Sequence, residues 1–442
     1  MNDVKQIASA ASVTDPLEQH GVVGAGGAGF PTATKLRIQA ELFIVNAAEC
    51  EPLLHKDKEL LKHESQAMLR GLREAMERVG AAEAVIGIKG KHTGIVRALE
   101  PQLPRGVRLF PLSDTYPAGD EVVLVHDVTG RVVPPGGLPR DVGAVVANVE
   151  TLVNVGRGRP VTHKYLTVAG AVREPVTLRV PVGLAVGEAV AAAGGPTVPA
   201  PALLVGGVMM ARLAASPDEP VTKTTAGVVV LPSTHPLVAR YRAEPEQIRR
   251  VGRSACDQCR FCTEMCPRYL LGHPIEPHRA MQSLGFTGPR DPLIAGTLYC
   301  CECNLCSLYA CPEDLDPKSV CVQAKPLARE RGLVFVGRPE GVRPHPLASA
   351  RRVPTARLAR KLGLGRFRDT GPLREDGLSP RQVVLPLRQH VGAPALPVVR
   401  PGERVREGDV VAVPPQGALG ARIHASIDGV VRDVDGSVRI EA

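Results

Sequence analysis

The chain has 442 residues, 44% of them hydrophobic and 22% charged, a globular composition with room for about three domains. No run approaches the roughly 20 uninterrupted apolar residues of a membrane span, and the amino-terminal stretch has no basic region followed by an apolar core, so a soluble, non-secreted protein is expected. With no Trp and 3% aromatic residues it lacks the stacking platforms of a single-strand nucleic-acid binder, and no nucleic-acid partner is expected.

In chain order, residues 4–11 have the pattern of a short helix, too weak a signal to read as an encapsulation tag. Residues 21–32 read Gly-Val-Val-Gly-Ala-Gly-Gly-Ala-Gly-Phe-Pro-Thr. Gly24, Gly26 and Gly29 fit G-x-G-x-x-G, and the strand-like run 42–46 ends just before Glu49 and Glu51, which imitates a dinucleotide fingerprint. The stretch before the glycines is too short for the strand that motif needs, and Pro31 follows at once. What the glycines do establish is close backbone N–H approach to an anion such as a phosphate; a plain flexible turn is the alternative. Residues 84–88 (Ala-Val-Ile-Gly-Ile) read as a second strand, with Lys89 and Lys91 at its carboxyl end, where ligands gather in an α/β sheet. Residues 165–172 read as a strand and turn, and 186–193 as a short helix.

Eleven cysteines in a chain without a recognisable export signal point to metal or catalysis before disulfides. Eight fall in two runs, Cys256-x2-Cys259-x2-Cys262-x3-Cys266-Pro267 and Cys300-x2-Cys303-x2-Cys306-x4-Cys311-Pro312. Thiolates two apart on a tight loop converge on one face of an iron–sulfur cube, and in two-cluster ferredoxins the fourth Cys of each run ligates the other cluster. That pattern assigns Cys256, Cys259, Cys262 and Cys311 to one [4Fe-4S] cluster and Cys300, Cys303, Cys306 and Cys266 to a second. Zinc groups pair C-x2-C across longer loops and are the weaker reading; Cys301 is the alternative to Cys300. The twelve histidines are scattered, and no hydrolase pattern stands out.

Residues 325–382 hold 14 Lys and Arg against 5 Asp and Glu, an excess that equals the whole net charge of +9. This Pro-rich stretch reads as a connector, with a docking surface for an acidic partner as the alternative; within it, 351–364 suggests a short basic helix whose leucines pack. Residues 383–442 show short Val/Ile-rich runs broken by Pro401-Gly402, Gly408-Asp409 and Asp428-Gly429, as in a compact β sandwich.

Several motifs carry a family resemblance. Gly24 to Thr32, Asn46-Ala47-Ala48-Glu49-Cys50-Glu51-Pro52 and Ala147-Asn148-Val149-Glu150-Thr151-Leu152 resemble the flavin and NADH site of the flavin-carrying subunit of respiratory complex I. With Val132 to Pro139 and Pro220-Val221-Thr222-Lys223-Thr224-Thr225, the chain more closely resembles the C subunit of Rnf electron-transport complexes and the cobalamin reductases of propanediol-utilisation microcompartments. A segment similar to the Rnf hybrid domain, 387–394 through 424–429, stands at the carboxyl end, which is the reductases' arrangement. No attachment Lys lies between its halves, so no lipoate or biotin is expected.

The resemblance implies an α/β FMN- and NADH-binding domain (1–158), a soluble-ligand-binding β-grasp domain (159–245), an α+β or α-helical two-[4Fe-4S] ferredoxin-like module (246–324), the basic connector (325–382) and a barrel-sandwich hybrid domain (383–442). It places Gly24, Gly26, Gly27 and Gly29 around the flavin, with Phe30 stacking on the nucleotide and Lys35 adding charge. Asn46 and Asn148 would bond the flavin, Thr151 would lie on its phosphate side, and Glu49 and Glu51 would line the nicotinamide pocket. Asp120 and Glu121 resemble acids bordering that flavin. Two positions depart from the complex I pattern: Ala25 replaces an Arg, which removes a charge able to meet a pyrophosphate, and Cys50 replaces a Ser. The implied function is an NADH-dependent flavin and iron–sulfur reductase whose acceptor is a cobalamin or a protein; the alternative is an Rnf-like relay subunit that docks on a membrane or multi-subunit electron-transfer complex. The implied setting is the cytoplasm or the interior of a bacterial microcompartment, where an enzyme or shell protein would be a partner.

Overall fold

The computed structural model describes residues 15–288, 290–333, 342–375 and 377–442; the short helix expected at 4–11 lies outside them. The amino-terminal domain is built on β1 (Leu42–Ala47), β2 (Glu83–Lys89), β3 (Val107–Leu112), a short β4 (Thr115–Tyr116) and β5 (Ala144–Asn148). The long strands form one parallel sheet in the order β3-β2-β1-β5. Their apolar runs are continuous because helices cover both faces: Phe43 and Val45 pack with Met68, Leu72 and Leu152, whereas Ile44 and Val85 pack with Leu124 and Val125. The strand order reverses between β1 and β5, and in open α/β sheets the crevice at that reversal, outside the carboxyl ends, is where ligands bind.

A mixed second sheet contains β6 (His163–Gly170), β7 (Val176–Pro181), β8 (Pro201–Val205), β9 (Arg212–Leu213) and β10 (Gly227–Pro232). Hairpin β6–β7 is antiparallel, and β10 runs parallel to β6, with helix Val186–Ala192 packed on the sheet. The cysteine runs follow in a helical module with its own small core of Ala280, Met281, Leu315 and Val320. Of the two architectures expected for that module, the helical one is observed.

The described part of the basic stretch packs on its neighbours. Its β11 (Val353–Pro354) pairs with β4, and its β12 (Leu373–Arg374) adds to β7. Helix Thr355–Lys361 lies within the expected span, with Leu358 and Leu362 buried, and Arg352 pairs with Asp127 of the first domain. The carboxyl-terminal domain comprises β13 (Gln382–Pro386), β14 (Leu396–Pro397), β15 (Arg404–Val405), β16 (Val410–Val413), β17 (Ile423–His424), β18 (Gly429–Asp433) and β19 (Ser437–Glu441). They form two facing sheets over Val383, Leu385, Val411, Val431 and Ile440. Among the described residues no helix is long and apolar enough to cross a membrane.

Candidate redox site

Asn46 and Asn148 sit opposite each other at the ends of β1 and β5, at the reversal point. Asn46 Nδ2 donates to the Gly119 carbonyl at 2.8 Å; Asn148 Oδ1 caps helix Val149–Arg157 through Glu150 N at 3.0 Å. The glycine loop folds over this end of the sheet. Gly24 N donates to the Phe30 carbonyl at 2.9 Å to close it, and Ala25 N donates to Thr151 Oγ1 at 2.9 Å. Gly26 has to be glycine, since a Cβ there would lie 2.8 Å from Asn148 Cγ, whereas a Cβ at Gly27 would meet open space. A glycine loop with one side on the asparagines and the other side open fits a bound flavin phosphate and ring edge. Phe30 stands at the rim, 38% exposed. Lys35 does not point a free charge at the loop, because its Nζ is paired with Glu121 at 2.8 Å.

Beneath the loop lies a buried charge network that the sequence did not announce. Lys56 contacts Asp57 at 2.5 Å and Glu150 at 3.0 Å. Lys164 of β6 pairs with Glu150 and donates to the Ala25 carbonyl at 3.0 Å, and Asn148 Nδ2 donates to Asp57 at 2.8 Å. Burial pushes the Glu150 carboxyl up, but Lys164 and Lys56 outweigh it and hold the group below the usual carboxylate range. Burial lowers Lys164 to about 8 despite Glu150. The only local signal for this network is a charged residue set inside an otherwise apolar strand or motif, as Lys164 and Glu150 are.

The acids expected to line the nicotinamide pocket are committed to the backbone. Glu49 accepts from Asp57 N at 2.8 Å and Lys58 N at 3.2 Å, at the start of helix Lys56–His63. Glu51 accepts from Val208, Met209 and Met210 N, each at 2.9 Å, which fastens the β8–β9 loop to the first domain. Cys50 lies against Asn46 and Gly119, and burial pushes its thiol up to about 12, so it packs there as a neutral group. Lys89 and Lys91 both bind Asp114, at 2.8 and 2.6 Å. A cavity of about 590 Å³ beside Glu41, Arg131 and Gly143 lies at the amino ends of the strands, away from all these groups.

The thiols gather in two sets. Cys262 feels the charge of Cys311, Cys256 and Cys259, and Cys311 that of Cys259 and Cys256; Cys306 feels that of Cys300, Cys266 and, across the two sets, Cys262, and Cys303 that of Cys301 first and then of Cys266 and Cys306. Both loops use the same unusual backbone: Gln258 and Arg260 have φ of 61° and 69°, and Glu302 and Asn304 have φ of 61° and 67°. In the second loop Glu302 N donates to Cys300 Sγ at 3.4 Å. Among the described residues no three ligating side chains converge on a single point.

The second set is built into the first domain. Tyr116 of β4 donates its hydroxyl to the Cys303 carbonyl at 2.8 Å, Arg268 pairs with Asp120 at 2.9 Å, and Asn304 Nδ2 donates to the Met209 carbonyl at 3.0 Å, next to the loop that Glu51 holds. The Arg268 guanidinium donates to Cys301 at this junction, and the free Cys321 thiol, from helix Pro317–Glu330, donates to Cys300. The first set lies outward, with Cys259 exposed and Cys256 partly so.

Known proteins join these parts. Residues 17–157 match the Nuo51 FMN-binding domain, 165–213 the SLBB domain, 255–316 the 4Fe-4S dicluster domain and 373–441 the RnfC barrel sandwich hybrid domain. The C subunit of the Na+-translocating ferredoxin:NAD+ oxidoreductase complex of Acetobacterium woodii is 33% identical across 57% of this chain and 56% of its own. Cobalamin reductase PduS of Citrobacter freundii is 43% identical, covering 96% of this chain and 95% of that protein. Cobalamin reductase PduS of Salmonella typhimurium is 45% identical, covering 98% of this chain and 96% of that protein. The likeness runs the length of both proteins and takes in the flavin and dicluster domains, so the chain belongs to the PduS cobalamin reductase family of oxidoreductases.

Proposed function

We propose that the chain takes electrons from NADH at an FMN held over the ends of β1 and β5 and delivers them through two [4Fe-4S] clusters to a cobalamin. The observation that carries the reading is the seating of the second set of cysteines beyond the carboxyl end of the flavin-domain sheet, Cys303 through Tyr116, the Cys266 end through Arg268 and Asp120, and Asn304 through the loop clasped by Glu51. Gly24, Gly26, Gly27 and Gly29, with Thr151, would hold the flavin phosphate; Asn46 and Asn148 would meet its ring, and Phe30 and Lys35 stand at the rim. Bound there, the flavin would convert a two-electron hydride donor into a source of single electrons, which is what cluster chemistry requires.

Glu49 and Glu51 act as positioning residues in this reading, the first fixing the turn that bears Lys56 and Asp57, the second locking the β8–β9 loop. Cys300, Cys303, Cys306 and Cys266 would hold an inner cluster, and Cys256, Cys259, Cys262 and Cys311 an outer one. Cys300 is preferred to Cys301 because only then do the left-handed residues fall at matching places in both loops. The order inner, then outer, puts the exit for electrons at the exposed Cys259. The same reading gives the protein a cytoplasmic or microcompartment setting, with a neighbouring enzyme or shell protein as partner.

The test is anaerobic purification, a visible spectrum with iron and flavin analysis, and then addition of NADH. Flavin and cluster bands that bleach together, followed by reduction of added cobalamin, are expected. Clusters without flavin, or flavin that NADH leaves oxidised, would contradict the reading; bleaching without turnover by the isolated chain would favour a relay subunit.

A further inference from the structure

The carboxyl-terminal domain reaches back onto the glycine loop, and the contact forms a groove beside it. Val391 N donates to the Gly29 carbonyl at 3.4 Å, and Gly29 (φ 75°) approaches so closely that a Cβ would lie 3.0 Å from His390 Cα. The groove, about 470 Å³, is bordered by Ala28 of the loop, Thr222 and Thr224 of the second domain, and Arg388, Gln389 and His390 of the last.

The chemistry of this lining is one-sided. No carboxylate borders the groove among the described residues. Arg388 is exposed and makes no hydrogen bond or ion pair among the described residues. Gln389 is only 4% exposed; its Oε1 accepts from Lys223 N at 3.1 Å, while its buried Nε2 has no partner. A buried N–H donor without an acceptor costs about 1–3 kcal/mol, and in a native structure such a group calls for a partner; the groove that Gln389 lines is where one could enter. His390 is already engaged, since its Nε2 accepts from Ala421 N at 2.9 Å. The glycine loop has no cation of its own, because residues 24–29 are only glycine and alanine.

We propose that this groove binds a phosphate ester of a soluble ligand, with Arg388 as its cation and the Gln389 amide as a second donor. The proposal rests on the reading above and deepens it, because both ligands named there carry such a group: the diphosphate of a dinucleotide donor and the phosphodiester of a nucleotide-bearing corrinoid. Arg is suited to the task, since its planar fork meets two phosphate oxygens at once. The carboxyl-terminal domain would then be part of the ligand site as well as a structural cap.

Calorimetric titration of the flavin- and iron-loaded full chain, kept anaerobic, tests this with three probes: ADP-ribose, cobalamin, and cobinamide, which lacks the nucleotide phosphodiester. Arg388→Gln is expected to weaken one of the first two by about tenfold, as for loss of one charge-assisted contact, and to leave cobinamide affinity, flavin content and iron content unchanged. Arg388→Lys is expected to recover part of the loss. Weakened ADP-ribose identifies the dinucleotide as the source of the phosphate; weakened cobalamin identifies the corrinoid. Equal affinities in wild type and Arg388→Gln, an equal loss for cobinamide, or loss of flavin from the variant would overturn the proposal while leaving the donor and acceptor reading intact. A wild-type chain that binds neither ADP-ribose nor cobalamin would overturn that reading, and this proposal with it.

Discussion

The two cysteine loops share a spacing and a backbone yet sit in opposite surroundings. Each has left-handed residues at the second and fourth places after its first cysteine, so the local fold is dictated by the need to aim three thiols, whatever lies outside. Around the second loop, Tyr116 and Asn304 tie it to the first domain and the β8–β9 loop, and Arg268, just after Cys266, pairs with Asp120; around the first, Cys259 and the neighbouring Phe261 face solvent. Ligand geometry is therefore a local property here, whereas a cluster's place in an electron path is set by residues from other domains. Exposure and hydrogen bonding also tune a cluster's potential, so the two centres should differ in potential although their ligands match.

The largest effects should come from the ligands. Cys266→Ser and Cys311→Ser are each expected to remove about half the iron, as one of two clusters is lost. If the fourth ligands cross between runs as proposed, Cys266→Ser should abolish the magnetic-resonance signal that Cys303→Ser also abolishes, and Cys311→Ser the one lost in Cys262→Ser. If Cys266→Ser instead behaved like Cys262→Ser, the two sets would be wrongly drawn.

Next in size is the clasp beside Cys266. Arg268 and Asp120 are mostly buried partners, and removing one leaves the other uncompensated, at about 3 kcal/mol. Arg268→Ala should lower the thermal midpoint and slow cluster reduction after the flavin is reduced, with flavin content unchanged; a midpoint equal to wild type would show that the two domains do not depend on this pair.

A control far from both loops concerns Lys223, whose ammonium is buried against the Gly21 and Arg422 carbonyls at 2.8 Å with His20, His390 and His424 nearby. Burial lowers it from 10.5 to about 7. Below pH 7 both folded and unfolded chains carry the proton and the burial cost is present in full. Between about 7 and 10.5 the unfolded chain alone keeps it, so stability should rise with pH, on the order of 2 kcal/mol from pH 7 to 9. Lys223→Met should flatten that rise in denaturant melts without altering either cluster signal. The smallest effect expected is for Tyr116→Phe, which loses one buried hydrogen bond, about 1 kcal/mol, and should slow inner-cluster reduction while leaving flavin reduction by NADH alone.

What can be read from the sequence follows the same division between local and long-range. The cysteine runs are legible because iron–sulfur chemistry fixes their spacing, and the strands at 42–46 and 84–88 because a parallel sheet covered on both faces needs unbroken apolar runs. The carboxyl-terminal sandwich shows through its turn residues. Glu51 reads as a pocket residue in sequence because its three partners lie more than 150 positions away, and Lys35 reads as a free charge because its partner Glu121 is 86 positions distant. The docking of the basic stretch depends on two-residue strands, β11 and β12, too short to leave a periodic signal. The buried set of Lys56, Asp57, Glu150 and Lys164 is gathered from two domains, and no window of sequence contains it.

On the proposed path the Cys303 cluster stands between the flavin and the Cys262 cluster. Rapid-mixing reduction by NADH, followed by freeze-quench magnetic resonance on Cys262→Ser and Cys303→Ser, tests it directly. The inner cluster of Cys262→Ser should be reduced at the wild-type rate, and the outer cluster of Cys303→Ser should stay oxidised while its flavin is reduced. Reduction of the outer cluster at the wild-type rate in Cys303→Ser would contradict the claim.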